Sequence, residues 1–224
     1  PGLKVKVRTG GGAPALACAT AYENALLDDT TALKGIRCSG DDFSLLYTGG
    51  TTGKPKGVMW SHQDLFFGCL GGGGFYAPAD GPVKAPEELA DRIRKAHPMR
   101  FMPVAPLMHG AAHWATMVSL FAGHTVVLND QHHFNAEHVL DIAATQKLNG
   151  ITIVGDAMAL PILDALKAQP GRWDLSALFL FGNGGAVMSA HIKAALRPFL
   201  PANVYFSDGM GSSAGGQLGM GAQP

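Results

Sequence analysis

Leu45-Leu46-Tyr47-Thr48-Gly49-Gly50-Thr51-Thr52-Gly53-Lys54-Pro55-Lys56-Gly57-Val58 is the stretch on which the reading of this 224-residue chain turns. The apolar run Phe43–Thr48 predicts a buried strand, and the segment from Ser61 to Leu70 predicts an apolar helix. Between them, glycines let backbone N–H groups turn toward an anion and let it come close. Thr48, Thr51 and Thr52 add hydroxyl donors, and Lys54 and Lys56 add positive charge. Polyphosphate is the ligand this combination suits best. The stretch is not a Walker A loop, because Pro55 follows Gly53-Lys54 where that loop needs a hydroxyl, and Thr48 replaces its first glycine. The Rossmann spacing G-x-G-x-x-G is absent from it as well.

Upstream, Tyr22–Leu27 reads as a short helix and Thr30–Gly40 as a connecting loop. Downstream the pattern alternates. Arg100–Ala105, His124–Leu128, Ile151–Val154, Ala177–Phe181 and Val204–Phe206 read as strands. Pro86–Lys95, His109–Ala122, Ala136–Lys147, Ala157–Ala168 and Ser189–Leu200 read as helices, and Tyr76–Lys84 as a loop. Val139, Leu140, Ile142 and Ala143 share one helix face, and Ser189 stands as an N-cap. Such alternation predicts an α/β fold, a largely parallel sheet flanked by helices, with ligand sites beyond the carboxyl ends of the strands. Glycine clusters fall where those ends are expected, after Thr48, Phe181 and Ser207.

Composition narrows the function. Hydrophobic residues make up 47% and charged residues 15%, and 17 Lys+Arg balance 17 Asp+Glu. A zero net charge leaves no electrostatic footprint for nucleic acid or an anionic membrane surface. The three cysteines (Cys18, Cys38, Cys69) are odd in number and form no CxxC pair, which argues against a disulfide framework and for a reducing, cytoplasmic setting. No apolar run approaches the roughly 20 residues needed to cross a bilayer.

Tyr47–Val58 and its continuation Met59-Trp60-Ser61-His62 resemble the signature of the acyl-adenylate-forming superfamily, most closely its bacterial fatty acyl-CoA synthetase branch. The likeness continues in order from Asp41 to Gln217. It includes Pro106-Leu107-Met108-His109-Gly110, Asn183-Gly184-Gly185-Ala186 and Asp208-Gly209-Met210-Gly211-Ser212-Ser213. The resemblance implies that Thr48, Gly49, Gly50, Thr51, Thr52, Gly53 and Lys56 wrap the β- and γ-phosphates of ATP. It implies that Gly184, Gly185, Asp208, Met210 and Gly211 frame adenine, that Ser213 meets the α-phosphate, and that His109 belongs to the acyl pocket. Lys56 and His109 are the implied catalytic residues. ATP, Mg²⁺ and CoA are the implied cofactors and co-substrates, with a small carboxylic acid as partner. On this likeness residues 1–40 form an opening segment of a large domain, and 41–224 its ATP-binding core.

Two departures stand out. The family places a glutamate that helps hold Mg²⁺ directly after the position of Ser213, and Ala214 stands there. The family also has a further N-terminal portion, a ribose-binding aspartate, and a small C-terminal domain bearing the catalytic lysine. The chain is therefore expected to be an interior, inactive piece of an acid–thiol ligase, with a non-catalytic remnant or interaction module as the alternative.

Arg100–Asn129 contains no Asp or Glu, so a substrate ammonium would be buried without a partner. That favours an acid with an apolar tail, most simply a fatty acid, with an aryl acid as a further alternative. Trp114, Met117, Leu120 and Phe121 are candidates to line its pocket. His109 and His113 stand at i,i+4, but Gly110 replaces the glutamate of a zinc-protease helix, so no metal site is assigned. Asp156, at a strand end, is a polar site candidate or an N-cap. Placing a glutamate after Ser213, by substitution or insertion, is expected to tighten Mg·ATP binding. Unchanged affinity by calorimetry would contradict the role given to the missing carboxylate.

Overall fold

Runs of β-branched and aromatic residues pair here as strands, and the amphipathic stretches between them pack over the resulting sheet. The computed structural model describes residues 7–8, 20–21, 35, 37–49, 53–72, 81–131 and 133–223. The chain divides into two units, Pro1–Ser39 and Gly40–Pro224. In the first, β1 (Val7–Arg8) and β2 (Thr20–Ala21) pair in parallel. The helix expected at Tyr22–Leu27 lies outside the described residues, as do Cys18 and most of the loop expected at Thr30–Gly40.

The second unit begins with an antiparallel hairpin of β3 (Phe43–Thr48) and β4 (Lys56–Ser61). Ser61 then caps α1 (His62–Gly68), its Oγ accepting the Asp64 N–H at 3.0 Å. A 3₁₀ turn at Pro86–Glu88 leads into α2 (Leu89–Lys95). There follow β5 (Arg100–Pro103), α3 (Gly110–Phe121), β6 (Thr125–Val126), α4 (Ala136–Thr145), β7 (Gly150–Ile153) and α5 (Gly155–Ala168). The unit closes with β8 (Leu180–Gly184), α6 (Ala190–Leu196), β9 (Tyr205–Ser212) and β10 (Gly216–Gln223). No helix among the described residues is long and apolar enough to cross a membrane.

Six strands form one sheet in the order β10-β9-β8-β7-β5-β6, parallel except for the β9–β10 pair. From β5 the chain steps outward to β6, then returns past β5 to β7, β8 and β9. Right-handed crossovers in opposite directions put α3 on one face and α4, α5 and α6 on the other. The core divides accordingly. Ile151, Ile153, Phe181 and Phe206 pack with Val139, Leu140, Ile162, Leu163 and Leu196 in the larger cluster. Cys69, Leu70 and Val118 form the smaller one, with Trp60, Trp114, Met117 and Phe121 against it.

Several expectations need correction. Phe43–Thr48 is a strand, but it is not buried in the parallel sheet. Phe43, Leu45 and Tyr47 are 62%, 57% and 66% exposed, because the strand alternates and pairs only with β4. The strand expected at Ala177–Phe181 begins later, at Leu180, and runs to Gly184, so Gly182 and Asn183 are ladder residues rather than loop. Val204–Phe206 is not the last strand, since Asp208–Ser212 extend it and β10 folds back on it through Gly216, whose φ is +67°. A Cβ there would lie 2.8 Å from Cys69 Sγ, so the turn is closed by glycine's missing side chain as well as its backbone freedom. Of the expected face of α4, Val139, Leu140 and Ala143 are buried and Ile142 is half-buried.

Gly155 opens α5 with φ +58°, and a Cβ there would meet Ala186 Cβ at 2.7 Å and the Val187 carbonyl at 2.8 Å. Gly171 has φ +78° with nothing within 4 Å of its would-be Cβ. Gly155→Ala is expected to cost roughly 2–5 kcal/mol, combining left-handed strain with overpacking against backbone. Gly171→Ala should cost only about 1–2 kcal/mol. Urea unfolding midpoints measure both.

Candidate active site

The reversal of strand order between β5 and β7 leaves a crevice beyond the carboxyl ends of β5, β7, β8 and β9, where open parallel sheets bind ligands. A cavity of about 580 Å³ occupies it. Ala105, Pro106 and His109 approach from the end of β5, while Gly110, Ala111, Trp114, Ala115 and Val118 come from α3. Gly184 and Gly185 approach from β8, and Gly209, Met210, Gly211, Ser212 and Ser213 from β9. Among the described residues, neither a carboxylate nor a lysine or arginine lines it. The wall is mostly apolar, with glycine backbone, a few hydroxyls and Asn183 also in its lining.

The expected nucleotide residues Gly184, Gly185, Met210, Gly211 and Ser213 therefore meet here, together with His109. His109 sits just before α3 with extended backbone, and its carbonyl accepts the His113 N–H at 2.9 Å. His113 lines a separate cavity of about 310 Å³, bordered by Leu46, Tyr47, Trp60 and Met108. The i,i+4 spacing thus does not bring the two imidazoles to one site. Of the four candidate pocket residues on α3, Trp114 borders both cavities. Met117 and Phe121 pack into the smaller core, and Leu120 is 48% exposed.

The hairpin carries Thr48 and Lys56 opposite each other, with the Thr48 hydroxyl donating to the Lys56 carbonyl at 3.3 Å. Gly49, Gly53, Lys54 and Lys56 are exposed, and none of them lines the cavity. Gly50, Thr51 and Thr52 lie outside the described residues. A Cβ at Gly49 or Gly53 would meet nothing within 4 Å, so internal packing does not demand glycine at either position. The base of the hairpin is fixed to the cavity rim. Trp60 Nε1 donates to the Ser213 carbonyl at 2.8 Å, and a Cβ on Gly110 would lie 3.0 Å from Leu46 and 3.9 Å from Ser213 Oγ.

Asp208 stands behind the wall rather than in it. Its carboxylate accepts from Asn183 Nδ2 at 3.0 Å and pairs with Lys193. Asn183 also takes the Gly155 N–H on Oδ1 at 2.7 Å and donates to the Ala186 carbonyl at 2.9 Å. Lys193 escapes the sequence reading, and Asn183 enters it only as part of the segment Asn183–Ala186 with no role of its own, although an asparagine just after the apolar run Phe179–Phe181 is a polar group that burial forces to find partners. Asp156 does not cap its own helix. It accepts from the N–H and hydroxyl of Ser189 at 2.8 and 2.7 Å, and these bonds hold its carboxyl below the ordinary range. Ser189, expected as an N-cap, spends its hydroxyl on that bond instead of on α6.

The residues present do not fit the Mg²⁺ site that the resemblance implies. The Ser212 hydroxyl accepts the Gly215 N–H at 2.9 Å, the Ser213 carbonyl is taken by Trp60, and Ala214 offers no oxygen beyond its backbone. Asp208 is committed to Lys193 and Asn183, and no group of three metal-ligating side chains occurs among the described residues. Mg²⁺ is ordinarily held by one or two protein carboxylates together with substrate phosphates and water, and this donor set offers no uncommitted carboxylate.

The AMP-binding enzyme family matches residues 12–214. The chain is 37% identical over 196 residues to the medium-chain acyl-CoA ligase Mig of Mycobacterium avium, covering 87% of this chain and 35% of the relative. It is 42% identical over 179 residues to a medium/long-chain fatty acid and 3-oxocholest-4-en-26-oate CoA ligase of Mycobacterium marinum, covering 80% and 31%. The inhibitor-bound N-terminal domain of FACL13 from Mycobacterium tuberculosis shares the fold, with TM-score 0.58 at 22% identity, covering 80% of this chain and 39% of that one. The chain spans about a third of the length of the curated relatives it matches. Replacing Trp60 by Phe removes its hydrogen bond to the Ser213 carbonyl and trims the indole that packs on the smaller core to a single aromatic ring. It is expected to lower stability by about 1 kcal/mol, read as a shift in the urea midpoint.

Proposed function

Because the chain belongs to the AMP-binding enzyme family, we propose that the protein activates a carboxylic acid with an apolar tail. In the first step an acid oxygen bonds to the α-phosphorus of ATP as the bond to pyrophosphate breaks, giving an acyl-adenylate. In the second, the CoA sulfur bonds to the acyl carbon, AMP leaves with the bonding pair, and the thiol proton passes to solvent. The observation that carries this reading is the cavity where the two glycine-rich strand ends face α3, apolar and free of carboxylates. Its walls suit an aliphatic tail, and among the described residues no carboxylate lines it as countercharge for an ammonium. The acids in the names of the relatives above, medium- to long-chain and steroidal, are of that kind.

The chain's own part is positioning and charge neutralisation. Lys56, on the exposed hairpin, suits the leaving pyrophosphate. The bare backbone at Gly49 and Gly53 leaves N–H groups open to an anion, a use for glycine that internal packing does not supply. Ser213 stands where the hairpin meets the cavity rim and suits the α-phosphate. His109 borders the same cavity and suits the acyl carboxylate end. Cytoplasm is the proposed compartment, since the chemistry needs ATP and a reduced thiol. Neither Cys38 nor Cys69 is joined in a disulfide among the described residues.

ATP–pyrophosphate exchange with octanoate, dodecanoate, palmitate, a steroid side-chain acid and 4-hydroxycinnamate tests the proposal. Exchange is expected with the aliphatic or steroidal acids, and Lys56→Ala should lower it about 100-fold. Exchange with the cinnamate alone would favour aryl acids. Nucleotide binding without exchange for any acid would leave a binding module in place of the enzyme.

A further inference from the structure

Lys193 is a costly residue to bury. It is 8% exposed, on α6, and its ammonium reaches the Asp208 carboxylate on β9. Burying an ammonium costs desolvation that even a partly exposed carboxylate partner offsets only in part, so its place here calls for a geometric reason. The geometry supplies one. Asp208 lies opposite Asn183 in the β8–β9 register, and its other oxygen takes one Asn183 amide proton. The second amide proton goes to the Ala186 carbonyl, and Asn183 Oδ1 takes the Gly155 N–H. Asn183 thereby uses both donors and an acceptor. The same turn is held from α5, where the Asp156 N–H donates to the Val187 carbonyl at 3.1 Å.

Resting on the reading of the cavity as a nucleotide site, we propose that Lys193 is a positioning residue. It touches no part of the cavity itself. By clamping Asp208 it fixes the rotamer of Asn183, which ties the turn Gly185–Val187 to the start of α5. The two glycine strand ends that wall the cavity, at Gly184–Gly185 and Gly209–Gly211, are thereby held at one separation. Without the ammonium, Asp208 is free to turn toward solvent, since its side chain is already 37% exposed. Asn183 then loses the partner that sets its amide, and the purine slot widens while the apolar wall on α3 stays as it is.

Wild type, Lys193→Met, Asp208→Asn and the double variant are compared by two measurements. One is calorimetric affinity for AMP and, separately, for dodecanoate; the other is hydrogen exchange at the Gly155 and Asp156 amides. Lys193→Met is expected to weaken AMP about tenfold, leave dodecanoate within twofold, and speed both amides at least tenfold. In the Asp208→Asn background the same change should add less than twofold. AMP affinity within twofold of wild type in Lys193→Met, or equal losses for AMP and dodecanoate, overturns the positioning role. Unchanged exchange at Gly155 overturns the clamp. Wild type that binds no AMP removes the nucleotide reading, and the positioning role falls with it. Should Lys193→Met fail to fold, Asp208→Asn alone must show the same amide acceleration.

Discussion

Parallel strands must be brought together by long crossovers, and their carboxyl ends are left ragged unless something ties them. In this protein that tie is the Asn183 side chain. It sits 5% exposed in the middle of the sheet and reaches three chain segments at once, the start of α5, the turn after β8, and β9. A buried amide left short of partners costs about 1–3 kcal/mol, so the four polar groups here stand or fall together. The cavity depends on that tie, because both glycine-rich walls are continuations of the strands it joins.

The glycines around it serve different ends. Gly155 and Gly216 are demanded by packing, since a Cβ at either would collide within 3 Å and both have left-handed backbones. Gly182 is nearly as tight, with a would-be Cβ 3.0 Å from Thr152 Oγ1 across the β7–β8 ladder. Gly49, Gly53 and Gly184 meet no such limit. Their lack of a side chain leaves backbone open on surfaces that face the hairpin tip or the cavity. Gly155 and Gly216 thus build the frame, whereas Gly49, Gly53 and Gly184 are not fixed by internal packing.

Much of this was legible in the sequence, for identifiable reasons. Helices α3, α4 and α5 follow from their apolar periodicity, and the parallel sheet follows from their alternation with short β-branched runs. Gly184, Gly185, Met210, Gly211, Ser213 and His109 were readable as one site only through the ordered likeness of their segments, since spacing alone does not bring β8 beside β9. Strand β8 was placed too early because glycine and asparagine argue for a loop, and only the Thr152 and Asp208 neighbours explain why they serve as ladder. The exposure of β3 was hidden for a related reason. FSLLYT is apolar throughout, and nothing in its pattern tells a sheet interior from a hairpin with one open face. Lys193 carries no local signal at all, because its partner lies 15 residues away on another element.

On the proposed reading, the division of charge within the second unit matches what an acid and a polyphosphate would each require. The cavity wall carries no carboxylate, lysine or arginine among the described residues, so a tail can be desolvated there without leaving such a charge unpaired. The cations are kept apart, on the exposed hairpin at Lys54 and Lys56, where solvation costs them nothing until a phosphate arrives. Trp60 joins the two regions through a single hydrogen bond to Ser213, at the place where tail and phosphate would meet. Lys193, buried against the partly exposed Asp208, keeps its charge behind the wall and outside the cavity lining. An arrangement of this kind orients an uncharged tail and a highly charged partner by separate means, and neither element need be compromised for the other.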